Sequence, residues 1–239
     1  MDKQIIISIS RQYGSAGHEI GVKLAEKLDI PLYDRNLFDE IGKIKNIDTN
    51  NLEKYDEVPR KKFFSRKVKG YSNSPEENVA ELQFGLLRSK AADGDSFVVV
   101  GRCSDELFRG MDGFISIFIL ADMDEKVKRI MQVRNMDEKR ARAAIERHDK
   151  KRKAYHDYFC KNGKWGECKT YDICINSSRL GIDSTVEFLY DYIKESLIKK
   201  LQDQLLFPKE TTIDANKFSL IPLSSIRSGN YLIVESQHT

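Results

Sequence analysis

The residues of this chain best suited to chemistry gather in four short runs. The first is Arg11-Gln12-Tyr13-Gly14-Ser15-Ala16-Gly17-His18-Glu19, where an isoleucine-rich segment meets a glycine-bearing turn. Asp34-Arg35 and Gly101-Arg102 each follow an apolar segment, and Arg147, Asp149 and Arg152 lie in the most charged stretch, Arg134 through Lys153. Small residues between a strand and a helix leave free backbone N–H groups beside a helix N-terminus, which together cradle an anion. An arginine after a glycine at a strand end combines close backbone approach with a forked donor, the combination that a phosphate or carboxylate requires. Positive charge carried over that site by a helical stretch would serve phosphoryl transfer, where charge must be neutralised and water excluded. Each group also has a plain structural use: Asp34 can cap the next helix, and Arg102 can pair with an interior carboxylate.

A parallel sheet would bring these runs together, because its strands deliver ligand groups at their carboxyl ends. Ile5, Ile6, Ile7 and Ile9 read as a strand buried on both faces. Ile20, Leu24, Ala25 and Leu28 recur at helical spacing, so a helix beginning near Gly17 lies back on the sheet. Leu32-Tyr33-Asp34 forms a second strand, followed by a helix from Asn36 to about Lys43. Residues 44–75 lack periodicity and carry Arg60, Lys61, Lys62, Arg66, Lys67 and Lys69 around Phe63 and Phe64, either a solvated face or a segment that closes over a phosphorylated substrate. Pro75-Glu76-Glu77 opens a helix lined by Val79, Leu82, Gln83, Leu86 and Leu87. Phe97–Val100, Phe114–Leu120 and Tyr171–Asn176 complete the strands. Ser104-Asp105 is expected to cap a helix from Glu106 to Arg109, and Val127, Ile130, Met131 and Val133 point inward from a later one. Tyr155–Phe159 and Gly163-Lys164-Trp165-Gly166 form an aromatic, glycine-broken connection, and a closing helix starts at Gly181-Ile182-Asp183 and runs to about Leu201.

Composition narrows the classes. A chain of 239 residues with 40% hydrophobic content fills the core of one large α/β domain with an appendage. The net charge of +3, with both signs abundant, does not describe a nucleic-acid-binding polycation. No apolar run approaches the ~20 residues of a membrane span, and Asp2 and Lys3 do not begin a secretory leader, so a cytoplasmic protein is expected. Cys103, Cys160, Cys168 and Cys174 match no paired zinc spacing. A metal held by His156, Cys160 and Cys168 is conceivable, but free thiols and no metal are the expectation. Beyond Leu201, Phe218–Leu223 and Tyr231–Val234 read as two strands around Ser228-Gly229-Asn230, a hairpin that must borrow a surface. That extension could pack on the domain or join two copies as a homodimer.

The ordered motifs Ser8 to Ile20, Tyr33-Asp34-Arg35, Val99-Val100-Gly101-Arg102-Cys103, Trp165-Gly166 and Tyr171 to Ile182 resemble the cytidylate kinase-like family, a nucleoside monophosphate kinase branch of the P-loop superfamily. The resemblance covers roughly residues 3 to 198. It implies a three-layer α/β fold with a parallel sheet flanked by helices, a monophosphate-binding insert at about 36–92 and a lid at about 134–165. These would form one domain over 1–201, with 202–239 as a C-terminal β extension. It implies transfer of the ATP γ-phosphoryl group to a pyrimidine nucleoside monophosphate such as CMP or dCMP, with Mg2+. Arg11, Gln12, Tyr13, Gly14, Ser15, Ala16, Gly17, His18 and Glu19 would then bind ATP. Asp34, Arg35, Arg102 and Asp149 would belong to the acceptor side, and His18, Arg147 and Arg152 would assist transfer. Nucleotides are the expected partners, with neither membrane nor specific nucleic acid.

The loop departs from the phosphate-loop pattern of Gly, four residues, Gly-Lys-Ser/Thr. His18 stands at the lysine position, Glu19 follows it, and Gln12 replaces the first glycine. An imidazole brings no permanent charge to a triphosphate, and Glu19 would repel one unless it points away or meets magnesium. Two classes therefore stay open, a kinase and a nucleotide-binding regulator without turnover. A third, an RNA-binding surface built on the Arg60 to Lys69 cluster, is the least favoured.

Overall fold

The computed structural model describes residues 4–46, 49, 52–59, 67, 68, 71, 72 and 74–206. The chain divides into two units, Met1–Ile198 and Lys199–Thr239. The expected C-terminal hairpin, and the side chains of the Arg60 to Lys69 cluster, lie outside the described residues.

The elements are β1 (Ile6–Arg11), α1 (Gly17–Leu28), β2 (Leu32–Tyr33), α2 (Leu37–Lys45), a hairpin of β3 (Lys67–Val68) and β4 (Tyr71–Ser72), α3 (Pro75–Ala92), β5 (Phe97–Val100), α4 (Ser104–Leu107), β6 (Phe114–Leu120), α5 (Met123–Arg134), α6 (Glu138–Phe159), β7 (Ile173–Asn176) and α7 (Ser177–Leu206). Five strands form one parallel sheet in the order β2-β5-β1-β6-β7, which is the α/β architecture expected. Both faces of β1 are covered, as its β-branched run requires. Ile7 and Ile9 meet Ile20 and Leu24 of α1 and Val186 and Leu189 of α7, while Ile6 meets Leu37, Leu87, Phe97 and Phe108. Each such buried aliphatic side chain contributes on the order of 1.5–3 kcal/mol. Among the described residues no helix is long and apolar enough to cross a membrane.

The register decides where the site lies. β1 pairs with β5 from Ile6↔Phe97 to Ile9↔Val100, and with β6 from Ile6↔Phe114 to Arg11↔Ile119. The ladder continues past the strand ends, with Gly101 donating its N–H to Ile9 O at 3.0 Å and Gln12 donating to Ile119 O at 2.9 Å. Arg11 and the Gly101-Arg102 turn are thereby set side by side at the carboxyl edge.

Several local expectations are corrected. Tyr155–Phe159 belong to α6, which runs unbroken for 22 residues, with Tyr155 and His156 buried. Ser104 and Asp105 lie within α4, and the cap position is Cys103 in a left-handed conformation. α7 comprises two helices that meet at Gly181, whose φ 75° and ψ 177° are non-helical; the longer one follows Gly181 as expected, and a short turn from Ser177 precedes it. Ser177 is held there because its Oγ donates to Ser15 O at 2.8 Å. Val133 is 62% exposed, since α5 buries only Lys126, Val127 and Ile130 along its length.

Candidate functional site

The turn after β1 is built from conformations that its residues single out. Gly14 has φ +88°, and a Cβ there would meet Lys126 Cβ at 3.1 Å and Ile130 Cγ1 at 3.2 Å. Ala16 caps α1 at φ 61°, and a side chain on Gly17 would come within 2.5 Å of Arg11 Cβ. The turn therefore folds tightly against β1 on one side and α5 on the other. Ser15 is a brace and faces no ligand: its Oγ donates to Gln12 O at 2.9 Å and it is 1% exposed. Gln12 turns its amide oxygen to Ala121 N at 3.2 Å and to Lys126 Nζ at 3.1 Å, pinning the loop to the start of α5.

Loop and helix line a cavity of about 490 Å³ with Gln12, Tyr13, Gly14, Ala16, Gly17 and His18 on one wall and Arg129, Arg134 and Arg152 on the other. Glu19 does not oppose an anion there, because Arg129 Nη2 donates to its carboxylate. His18 turns its imidazole to the end of β2: its Nε2 is 2.6 Å from Asp34 Oδ2, and the ring is 56% exposed. That hydrogen bond, together with the backbone N–H of Asn36 and the charge of Arg102, brings the Asp34 carboxyl down to about 2 against the effect of burial. Asp34 Oδ1 also accepts from Asn36 N at 3.1 Å, so it orders the turn into α2.

Asp149 of α6 lies against the loop. Tyr13 N–H donates to its Oδ1 at 2.6 Å, and Lys126 Nζ is 3.6 Å from Oδ2. Burial raises the Asp149 carboxyl, and the Tyr13 and Lys126 contacts oppose that rise. The Tyr13 ring stacks on His148 at 4.2 Å, with the Arg152 guanidinium 5.7 Å from its centroid. Arg147 is exposed on α6 and lines no part of the cavity.

A second set of charges adjoins the first. Glu57 receives Arg11 through two bonds of 2.8 and 3.1 Å, the Arg102 N–H at 3.4 Å, and an ion pair with Arg152 Nε at 3.7 Å. Asp56 accepts from Arg102 Nη2 at 2.9 Å and lies 3.8 Å from Arg35 Nε, while Arg35 itself is 76% exposed. Arg102 is thus paired with a carboxylate, and it is held in place by donating Nη1 to Val100 O at 2.8 Å. Gly101, Arg102 and Cys103 all have positive φ, a left-handed turn that leaves no space for a side chain at Gly101 beside Glu57 and Arg11. Burial alone would raise the Glu57 carboxyl, but Arg11, Arg102 and Arg152 outweigh it and hold it well below the usual carboxylate range. Burial and the neighbouring Arg11 bring Arg152 down to about 10.

The structure therefore brings together Arg11, the loop, Arg152, Asp149 and Arg102, and leaves Arg35 and Arg147 at the periphery. Sequence reasoning missed Asp56 and Glu57, which sit in the aperiodic stretch after α2. It also missed Lys126 and Arg129, whose i,i+3 spacing on α5 was legible as one helix face although its apolar residues drew the attention.

Among solved structures, an uncharacterised protein from Eubacterium ventriosum is 36% identical over 80% of this chain and 99% of its own, with a TM-score of 0.63. The shikimate kinase of Bacteroides thetaiotaomicron is 15% identical over 80% of this chain and 98% of its own, with a TM-score of 0.48. A shikimate kinase from Acinetobacter baumannii, solved in complex with shikimate, is 11% identical over 84% of this chain and 96% of its own, with a TM-score of 0.43. No curated protein matches. The sequence model of one family matches residues 6–179, so the chain belongs to the cytidylate kinase-like family, a membership that supports phosphotransferase chemistry at this site.

Proposed function

We propose that this protein transfers the γ-phosphoryl group of ATP to a pyrimidine nucleoside monophosphate of the CMP or dCMP kind. The observation that carries the reading is the adjacency of two anion sites. Arg11 and Arg152 line both the 490 Å³ cavity at the loop and the small pocket that contains Glu57, Gly101 and Arg102. A donor phosphate chain in the first and an acceptor phosphate in the second would have these two guanidiniums between them, where charge develops during transfer. The Glu57 carboxylate then stands where the acceptor's phosphate would sit, and must yield when the acceptor enters.

On this reading the missing loop lysine is replaced from elsewhere. Arg129 and Arg134 of α5 and Arg152 of α6 bring permanent charge to the cavity, while His18 orients Asp34. The loop N–H groups bind phosphate oxygens, and Tyr13 N–H is freed for them when Asp149 withdraws. Magnesium fits this set in a limited way, since Glu19, the nearest carboxylate at the position after the lysine site, is engaged by Arg129. Glu19 would hold the ion on release from Arg129, and the ion would offset charge on the nucleotide's phosphates. No side chain here need act as a nucleophile; positioning and electrostatics suffice.

The pairing of His18 with Asp34 favours a second reading, a nucleotide-binding regulator without turnover. A coupled ADP-release assay with ATP, Mg2+ and CMP or dCMP separates the two. The kinase reading expects acceptor-dependent release that drops at least tenfold in Arg152→Ala. Release near zero in the natural chain that rises steeply in His18→Lys, with nucleotide affinity unchanged, would favour the regulator.

A further inference from the structure

A buried cluster adjoins the small pocket where the C-terminal end of α6 meets the start of α4. Asp105, His156 and Cys160 place one donor atom each within 4.8 Å of one another, at 1, 3 and 6% exposure. His156 Nε2 is 2.8 Å from Asp105 Oδ2, while Asp105 Oδ1 and His156 Nδ1 have no hydrogen-bond partner among the described residues. The Cys103 thiol, 5% exposed, packs in the same buried cluster as Cys160. Cys103 and His156 also line the small pocket beside Glu57 and Arg102, while Asp105 and Cys160 lie behind it, and the phosphoryl-transfer reading gives none of the four a role in transfer.

The types and spacing are those of a metal site. His156 and Cys160 lie four residues apart at the end of α6, so both side chains project from one helical face. Cys103 and Asp105 flank the first turn of α4. Two thiols, an imidazole and a carboxylate are a donor set for zinc, and a closed set of four describes a structural ion with no open position for catalysis. The Asp157 carboxylate lies 3.6 Å from His156 Nδ1, where it would orient an imidazole ligating through Nε2, as outer carboxylates do for metal-bound histidines. Apolar and aromatic groups around it, Ala80, Phe84, Tyr155 and Phe159, keep water out. Cys168, which the sequence reading grouped with His156 and Cys160, is exposed and takes no part.

We propose that Asp105, His156 and Cys160, completed by Cys103, bind one zinc ion that fastens the end of α6 to the turn bearing Arg102. Binding would release the thiol and imidazole protons to solvent, and the ion would take the place of the proton between His156 and Asp105. Its effect on the site is positional: it would hold the helix carrying Asp149 and Arg152 against the Gly101-Arg102-Cys103 turn.

The test is metal analysis of the full-length chain after dialysis, followed by reloading of the stripped protein with Co2+. The expected result is one metal per chain, with thiolate-to-cobalt charge-transfer absorption of a tetrahedral site. Cys160→Ser and Cys103→Ser should each weaken that absorption, the double variant should abolish it, and Cys168→Ser should leave it unchanged. Circular dichroism of each stripped variant identifies any that fails to fold, and the natural chain alone still decides. No retained metal and no charge-transfer absorption in the natural chain would overturn the proposal. So would a cobalt spectrum that is lost in Cys168→Ser and kept in a folded Cys160→Ser.

Discussion

Replacing Glu57 with glutamine removes the negative charge on which Arg11, Arg102 and Arg152 converge, while keeping an oxygen that can accept from Arg11. The side chain is 13% exposed and its two bonds to Arg11 are 2.8 and 3.1 Å long, so the pair is largely desolvated. Deleting one partner of such a pair costs about 3–5 kcal/mol, because the remaining charge is left buried without compensation. The retained oxygen lowers the expected loss for Glu57→Gln to about 2–3 kcal/mol. If Glu57 occupies the position of the acceptor's phosphate, the same change should improve acceptor binding. A dianionic phosphate would meet Arg11 and Arg152 freed of Glu57, beside an Arg102 still paired with Asp56, without displacing a carboxylate, and affinity for CMP should rise by about tenfold or more, roughly 1.4 kcal/mol. Urea unfolding with and without CMP, alongside calorimetric titration, reads both effects. The variant should be less stable than the natural chain alone, and CMP at ~100 times its Kd should return about 2.7 kcal/mol. Equal or weaker CMP affinity in a folded Glu57→Gln would refute the reasoning and leave Glu57 as a structural ion-pair partner.

Three further outcomes follow from the same geometry. Gly17→Ala places a methyl group 2.5 Å from Arg11 Cβ, so the start of α1 must shift; a loss of about 1–3 kcal/mol in urea unfolding and weaker ATP binding are expected. Arg129→Ala leaves Glu19 uncompensated beside the cavity, and ATP affinity by calorimetry should fall about tenfold, with partial recovery in Arg129→Ala/Glu19→Gln. The Asp34 carboxyl is depressed to about 2, so its stabilisation is present above its unfolded value and is lost as pH falls through about 2. Allowing for solvent at this half-exposed pair, the natural chain should lose about 1 kcal/mol more between pH 5 and pH 2 than His18→Leu.

Much of this was legible in the sequence because strand ends announce themselves. β-branched runs followed by Gln12-Tyr13-Gly14 and by Gly101-Arg102 identified both the strands and the edge where the ligand groups collect, and the register confirms that edge. Asp56 and Glu57 were not legible, since they reach the site from an aperiodic segment and the arginines they hold there, Arg11 and Arg102, are 45 or more residues away in sequence. His18 was read for its place in the loop, but Asp34 at the end of β2 decides where its ring points. Gly181 was legible as a helix start because glycine punctuates, and its non-helical φ 75° and ψ 177° do break α7 there; the short turn from Ser177 before it was not foreseen. The Asp105 and His156 contact joins elements 51 residues apart, and only the packing of α6 across α4 creates it.

The central claim is that the loop and its arginines hold a triphosphate beside an acceptor monophosphate. Calorimetric titration of the full chain with ATP, CMP and dCMP, with and without Mg2+, tests it most directly. Two independent sites are predicted, with ATP binding weakened in Arg129→Ala and CMP or dCMP binding weakened in Arg102→Ala, each by about tenfold or more. Absence of binding by both nucleotide classes, or competition of ATP and CMP for one site, would contradict the account.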